Sequence, residues 1–443
     1  MASIAPEPPT TPAGNHRGSI LSALVAGLLL LTGCQPTVYL MPTPEALRSG
    51  THDPFAGKSD KQTQNEVTVA YATNRLPVGL RDDRSYVTLF DDTLRLGKAQ
   101  VRIGTQQFSA EELHRQSTTS AREFGIPLTL EAATEIGRVS QGDAVDALPA
   151  DAHAFFNRIN DALERSASKD LIVYVHGANN NFYRSVSQGA QFHHFTGRNA
   201  VVLVYSWPSA ASLLRYAVDV NNARASFPIF SRLLELLARH TDAQQIDILA
   251  YSAGAQILSP ALARLALAGK TEGTANLRRR LRLGEIYFAA PDLDFGQFVD
   301  DLRQYIDLPR HVTLTVNPGD VVLGMAESKH GVSRAGRPDP DELSAEEREL
   351  VTRATREMAF DLLWIDPDSI PGLAGGSHAF WYDHPWVSTD VLLQLLFNVR
   401  PAERGLESVE HGDTRLWHFP ADYGQRVDGI LSELQDKYIH TEP

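Results

Sequence analysis

From Asp170 onward the chain alternates short, largely apolar runs with longer segments of helical period. The runs at 171–175, 200–205, 246–251, 285–290, 312–316 and 360–365 are too short for helices. Apart from 312–316 they also lack the strict alternation of a half-exposed strand, so they predict strands buried on both faces. Between them, 182–195, 221–240, 255–267, 295–305 and 386–397 carry apolar residues three and four apart. On 221–240 the inner stripe is Phe227, Phe230, Leu233, Leu234 and Leu237. Strands of this kind separated by amphipathic helices predict an α/β fold: a mostly parallel central sheet with helices on both faces.

Ahead of this region the pattern is weaker. Strands are expected at 67–75, 86–90 and 94–103, the last ending in alternating Ala99, Val101 and Ile103. Residues 106–149 show no period and read as loop. Residues 151–165 place Phe155, Phe156, Ile159 and Leu163 on one helical face. A polar insert near 324–358 interrupts the alternation; within it Ser344 and Glu347 form a capping box opening a helix. The tail beyond Arg400 holds Trp417, Phe419 and Tyr423, aromatics that call for packing on the body.

The first 65 residues are of another kind. Residues 20–31 are an apolar run preceded by His16 and Arg17, the length of a signal-peptide core rather than of a membrane span. The run ends Leu31-Thr32-Gly33-Cys34, and Cys34 is the single cysteine of the chain. This resembles a bacterial lipobox, in which the thiol is acylated and the leader is cut just before it. The expected organisation is a lipoprotein signal peptide at 1–33, a lipidated Cys34 with a flexible Pro- and Thr-rich tether at 34–65, and a catalytic domain at 66–443. Gln35 after the cysteine implies the outer membrane, facing the periplasm or the cell surface. With one cysteine no intrachain disulfide is available. A hydrophobic content of 43% is that of a globular protein. A net charge of −13 with no offsetting basic cluster argues against nucleic acid as a partner.

The chemistry gathers where the predicted strands end. In open α/β sheets ligands bind beyond the carboxyl ends of the strands. The run 246–251 leads into Ser252, with Ala250 two before and Gly254 two after. Small residues at those places are what a nucleophile elbow needs, a sharp strand-to-helix turn that raises a hydroxyl above the sheet; a Ser N-cap is the non-chemical alternative. His176-Gly177-Ala178 follows 171–175, and the N–H groups of Ala178 and Ala253 are the oxyanion-hole candidates. Asn179, Asn180 and Asn181 read as turn and cap residues. Two acid positions stay open. Asp320 follows the second strand after the elbow, in Asn317-Pro318-Gly319-Asp320, and is preferred; Asp292, with Asp294 near it, follows the first. His378, in a Gly-Ser loop after the last strand, is the expected base. His384 precedes Pro385, which restricts it to extended backbone. The order Ser, Asp, His is that of an α/β-hydrolase triad. His193-His194 lies on a predicted helix without metal-ligand spacing, and no Gly-rich phosphate loop follows a strand, so neither a metal nor a cofactor is expected.

The segments YATNR, VYVHGANNNF, VYSWPS, AYSAGA, AAPDLD and SHAFWYDHPWVSTD, in this order, resemble a poorly characterised bacterial family of the α/β-hydrolase superfamily, often lipoproteins and described as esterase- or lipase-like. The resemblance spans most of 67–397. It implies the α/β-hydrolase fold, Ser252 as nucleophile and His378 as base. Ala250 stands where Gly is usual, and Ala178 where a larger residue is common. The expectation is a membrane-anchored serine hydrolase acting on a small acyl ester, thioester or lipid-like substrate. The alternative is a catalytically silent hydrolase-fold envelope lipoprotein serving as scaffold or binding module.

Overall fold

The computed structural model describes residues 36–50, 52–56, 64–122, 124–210 and 215–439. Among them, strands and helices follow in the order β1 (Val38–Tyr39), β2 (Glu66–Leu80), β3 (Asp83–Ile103), α1 (Ala110–Ser117), β4 (Pro127–Val139), α2 (Ala150–Arg165), β5 (Leu171–Val175), α3 (Phe182–Phe195) and β6 (Val201–Ser206). Then come α4 (Tyr216–His240), β7 (Ile246–Tyr251), α5 (Ala255–Ala268), α6 (Thr274–Leu281), β8 (Leu283–Ala289), α7 (Phe295–Tyr305), β9 (His311–Val316), α8 (Val321–His330) and α9 (Ala345–Glu357). The chain ends with β10 (Phe360–Trp364), α10 (Phe380–Asp383), α11 (Pro385–Phe397), β11 (Glu407–His411), β12 (Thr414–His418) and α12 (Tyr423–Ile439).

All the strands join one twelve-stranded sheet ordered β1-β4-β3-β2-β6-β5-β7-β8-β9-β10-β12-β11. From β2 to β12 every neighbouring pair is parallel. The two ends are antiparallel. The central strands are buried on both faces, as their largely apolar runs require, and Asp247, Glu285 and Asp361 are buried with them. Leu171, Val173 and Val175 of β5 enter one core, with inner residues of α2, α4, α5 and α7. Ile172 and Tyr174 enter the other, with α3 and α11. The period of two along a strand sends neighbours into separate cores.

Three expectations fail in the N-terminal part. The segment expected as tether, 34–65, is folded over the described residues 38–50 and 52–56. Val38 and Tyr39 pair with Leu128 and Pro127, Leu40 N–H donates to the Ile126 carbonyl (2.8 Å), and Met41 N–H donates to Gln191 Oε1 (2.8 Å). Leu40, Met41, Leu47 and Phe55 are buried. A two-residue strand followed by Pro42 and Pro44 has no readable period, and prolines without N–H groups suit a sheet edge as well as a linker. Cys34 and the apolar run before it lie outside the described residues. Second, 86–103 is one strand. Its register against β2 steps from Thr73↔Arg95 to Arg75↔Phe90, so residues 91–94, polar except for Leu94, form a bulge rather than a break. Third, 106–149 is not loop but holds α1 and β4. On β4 the pairing shifts between the partners of Gln100 and Val101, so the buried set changes parity from Leu128 to Ala133, Glu135 and Gly137. Glu135 is buried against Arg84 Nε (2.9 Å) and Arg95 Nη1 (3.3 Å). A strand that switches faces around a buried charge has neither a period-two nor an apolar signature.

The insert near 324–358 is the β9–β10 crossover. It contains α8, which shows no helical stripe in the sequence, and α9, which opens with the expected Ser344–Glu347 capping box and sends Leu350 and Ala354 into the core. The tail packs on the body and also extends the sheet: Trp417 Nε1 donates to Asp361 Oδ1 (2.9 Å), and Phe419 and Tyr423 are buried. No helix of the described residues is long and apolar enough to cross a membrane.

Candidate active site

Strand β7 ends at Tyr251, and Ser252 turns the chain into α5 with φ +52°, a left-handed conformation that is costly for a residue with a Cβ. Such strain is characteristic of functional turns. Close packing enforces the turn. A Cβ on Gly254 would meet the Val175 carbonyl at 2.6 Å, and one on Gly177 would meet Ser252 Cβ at 2.9 Å. Ala250, by contrast, points into the core and its methyl is accommodated there.

His378 reaches over from the loop before α10. Its Nε2 lies 2.8 Å from Ser252 Oγ, and its Nδ1 lies 2.7 Å from Asp320 Oδ2. With Nδ1–H donated to the carboxylate, Nε2 is left to accept from the serine hydroxyl. Asp320 is the N-cap of α8, and its Oδ1 accepts from Leu323 N–H (3.0 Å), so both oxygens are held. The acid and histidine loops are tied together: Asn317 Nδ2 donates to the Ser377 carbonyl (2.8 Å). Ser252, His378 and Asp320 are thus brought into one chain of hydrogen bonds.

The other candidates take different places. Asp292 sits beside the elbow, its N–H donating to the Ser252 carbonyl (3.0 Å), but its carboxylate faces away from the imidazole. Oδ1 is paired with Arg334 Nε (2.7 Å), and Oδ2 accepts from the Tyr216 hydroxyl (2.5 Å). Asp294 caps α7 through Gln297 N–H (2.8 Å). His384 caps α11 and contacts the Pro371 carbonyl through Nε2 (3.0 Å). His194 Nε2 contacts Ser117 Oγ (2.7 Å), and its ring stacks on Phe55.

Ala253 N–H lies in the first turn of the helical segment that follows Ser252, where amides have no intrahelical acceptor. Ala178 N–H follows Gly177, whose α-carbon packs on Ser252. The turn that carries Ala178 is held by residues that were not singled out in the sequence. Trp207 Nε1 donates to the His176 carbonyl (2.7 Å), and its ring stacks on the His176 imidazole at 5.0 Å. Burial and the nearby Arg75 charge push His176 down to about 3, so it is neutral and a support rather than a base.

Arg75 and Asp219, both fully buried, frame this turn from behind. Arg75 donates from Nε to Ser206 Oγ (3.0 Å), from Nη1 to the Ser209 carbonyl (3.2 Å) and from Nη2 to the Asn180 carbonyl (2.9 Å). Asp219 accepts from Asn179 N–H (3.0 Å), Ser209 Oγ (2.7 Å) and Ala210 N–H (2.6 Å). Burial lowers the Arg75 guanidinium to about 9, and the Asp219 charge opposes that shift. Nothing in periodicity marks the two as a pair, because a charge at a strand end or a helix start normally reads as solvated. Replacing Arg75 by Met leaves three buried acceptors and the Asp219 charge without their cation. The expected loss is about 3–5 kcal/mol of stability, measured by urea unfolding; a loss under about 1 kcal/mol would contradict this account of the turn.

Residues 151–368 match the family model described as "Alpha/beta hydrolase of unknown function (DUF900)". No curated protein matches the chain. Among solved structures, esterase 2 of Thermogutta terrifontis matches at 12% identity and a TM-score of 0.29, over 53% of this chain and 83% of that one. An esterase of Pyrobaculum calidifontis matches at 12% identity and 0.28, over 52% and 76%. Esterase B of Lactobacillus rhamnosis, solved with a tributyrin phosphonate inhibitor, matches at 14% identity and 0.29, over 63% and 81%. Residues 151–368 carry the family match, and the fold is the α/β-hydrolase fold.

Proposed function

We propose that the protein is a serine hydrolase of carboxylic esters or thioesters, with amides second because they need better leaving-group protonation. The observation that carries the reading is the Ser252–His378–Asp320 hydrogen-bond chain beneath a strained elbow. Ser252 Oγ attacks the acyl carbon while His378 Nε2 takes its proton. Asp320 fixes the imidazole tautomer and stabilises the imidazolium that forms. Ala253 and Ala178 N–H groups receive the oxyanion. The imidazolium then protonates the leaving alcohol or thiol, and water, activated by the same histidine, releases the acid. Val321 and Met325, both more than half exposed and one turn apart on α8, offer apolar surface next to Asp320 for an acyl chain. Turnover of p-nitrophenyl esters of increasing chain length tests the reading; a folded protein that hydrolyses none of them, nor the matching thioesters, would sink it.

We further propose that acylated Cys34 holds the enzyme on the outer membrane. With Val38 paired to Leu128, three residues separate it from Cys34, a covalent reach of at most roughly 14 Å. The domain would then work against the bilayer rather than at the end of a long leash. Cys34→Ser should move the mature protein from the detergent phase to the aqueous phase. A variant that still partitions into detergent after cleavage before residue 34 would refute the anchor.

A further inference from the structure

A cavity of about 600 Å³ opens near the amino end of β6, away from the carboxyl ends that carry Ser252 and His378. Its floor is apolar: Ala70, Ile136, Phe155, Ile159 and Val202. Its walls are cationic. Lys98 reaches in from β3, Arg158 and Arg165 from α2, and Arg198 from the loop after α3, and no acidic residue lines the space. Arg198 is anchored through Nη1 and Nη2 to the Glu66 and Gln64 carbonyls (3.2 and 2.6 Å).

The arrangement departs from how the neighbouring cations of β3 are treated. On β3 and the turn before it, Arg81, Arg84, Arg95 and Arg102 each meet a carboxylate. Lys98, Arg158 and Arg165 have no ion-pair partner among the described residues, although the chain carries a net charge of −13. Arg158 and Arg165 are exposed, so water screens them, and an anion seated between them over the apolar floor would take the place of that screening. A concave apolar space of several hundred Å³ with a few convergent polar groups is the ordinary form of a small-molecule site. An inorganic anion would leave the floor unused, and a neutral lipid would leave the cations unmatched.

We propose that this cavity binds an amphiphilic anion, a carboxylate or phosphate head on an apolar chain, with Arg158 and Arg165 on the head and Phe155 and Ile159 against the chain. The site is independent of the proposed hydrolase centre. The test is calorimetric titration of the full chain with octanoate, decanoate, 1-octanol, inorganic phosphate and dihexanoyl phosphatidylglycerol, each below its micelle concentration. Decanoate is expected to bind more tightly than octanoate, by up to about fourfold per added methylene. Octanoate should exceed 1-octanol at least tenfold. The double variant R158Q/R165Q should lose at least tenfold of the decanoate affinity while ester turnover and unfolding midpoint stay unchanged. If the phosphatidylglycerol binds more tightly than decanoate and is lost in the same variant, the head is a phospholipid's; the reverse order names a free fatty acid. Equal binding of octanoate and 1-octanol, phosphate binding as tightly as decanoate, or decanoate binding that the double variant leaves intact would each overturn the proposal.

Discussion

Ser252→Ala is expected to lower ester turnover by several orders of magnitude and to leave the unfolding midpoint within about 1 kcal/mol of the parent. The two halves of this result have separate causes. The change removes one hydroxyl from a nearly buried turn and keeps the Cβ, so the φ of +52° costs the variant about what it costs the parent. Gly254 and Gly177, which allow the close approach of β7, α5 and the His176 turn, are untouched. What disappears is the attacking oxygen. Once it is gone, His378 and Asp320 have no nucleophile to activate, and any residual rate reflects the oxyanion donors and binding alone. Steady-state turnover of the best p-nitrophenyl ester, together with urea unfolding, measures both halves. A variant with more than about a tenth of the parent rate would remove Ser252 from the mechanism.

The second large effect separates two aspartates that the sequence leaves as rivals. Asp320→Asn is expected to cut turnover by about 10⁴-fold with little loss of stability. An amide in that place can present an N–H to Nδ1 and favour the wrong tautomer, so Nε2 would carry the proton and could not accept one from Ser252. Asn keeps a side-chain oxygen for Leu323 N–H, so the cap on α8 survives. Asp292→Asn should behave in the opposite way. Its carboxylate is buried with Arg334, and removing the charge leaves the guanidinium without a counterion, a loss on the order of 3–5 kcal/mol. Turnover per folded molecule should change far less. If Asp292→Asn proved the slower enzyme and Asp320→Asn the weaker fold, the acid would lie one strand back.

Much of this arrangement was legible in the amino-acid order because local and global signals agree there. The run 171–175 is apolar at every other position for one core and at the intervening ones for the other, and 246–251 does the same except at the buried Asp247, a pattern that suits a doubly covered sheet. The loops after β5, β7, β9 and β10 carry His-Gly, Ser, Asp and His in an order that a parallel sheet can bring together. What stayed hidden depends on partners distant in sequence. β4 flips its buried face at a register shift and buries Glu135 against arginines of β3. β1 is two residues that gain meaning only beside β4. Arg75 and Asp219 read as surface charges until Ser206, Ser209 and Asn180 close around them. Periodicity reports which face is apolar; it carries no information about which buried polar groups satisfy one another.

The central claim is that Ser252 Oγ is an activated nucleophile. It is tested most directly by incubating the folded full chain with a fluorophosphonate and mapping the adduct by peptide mass spectrometry. The account predicts one phosphonyl group per molecule, carried on Ser252, with Ser252→Ala unlabelled and Asp320→Asn labelled much more slowly. An unmodified protein, or stoichiometric labelling at another residue with Ser252 intact, would contradict it.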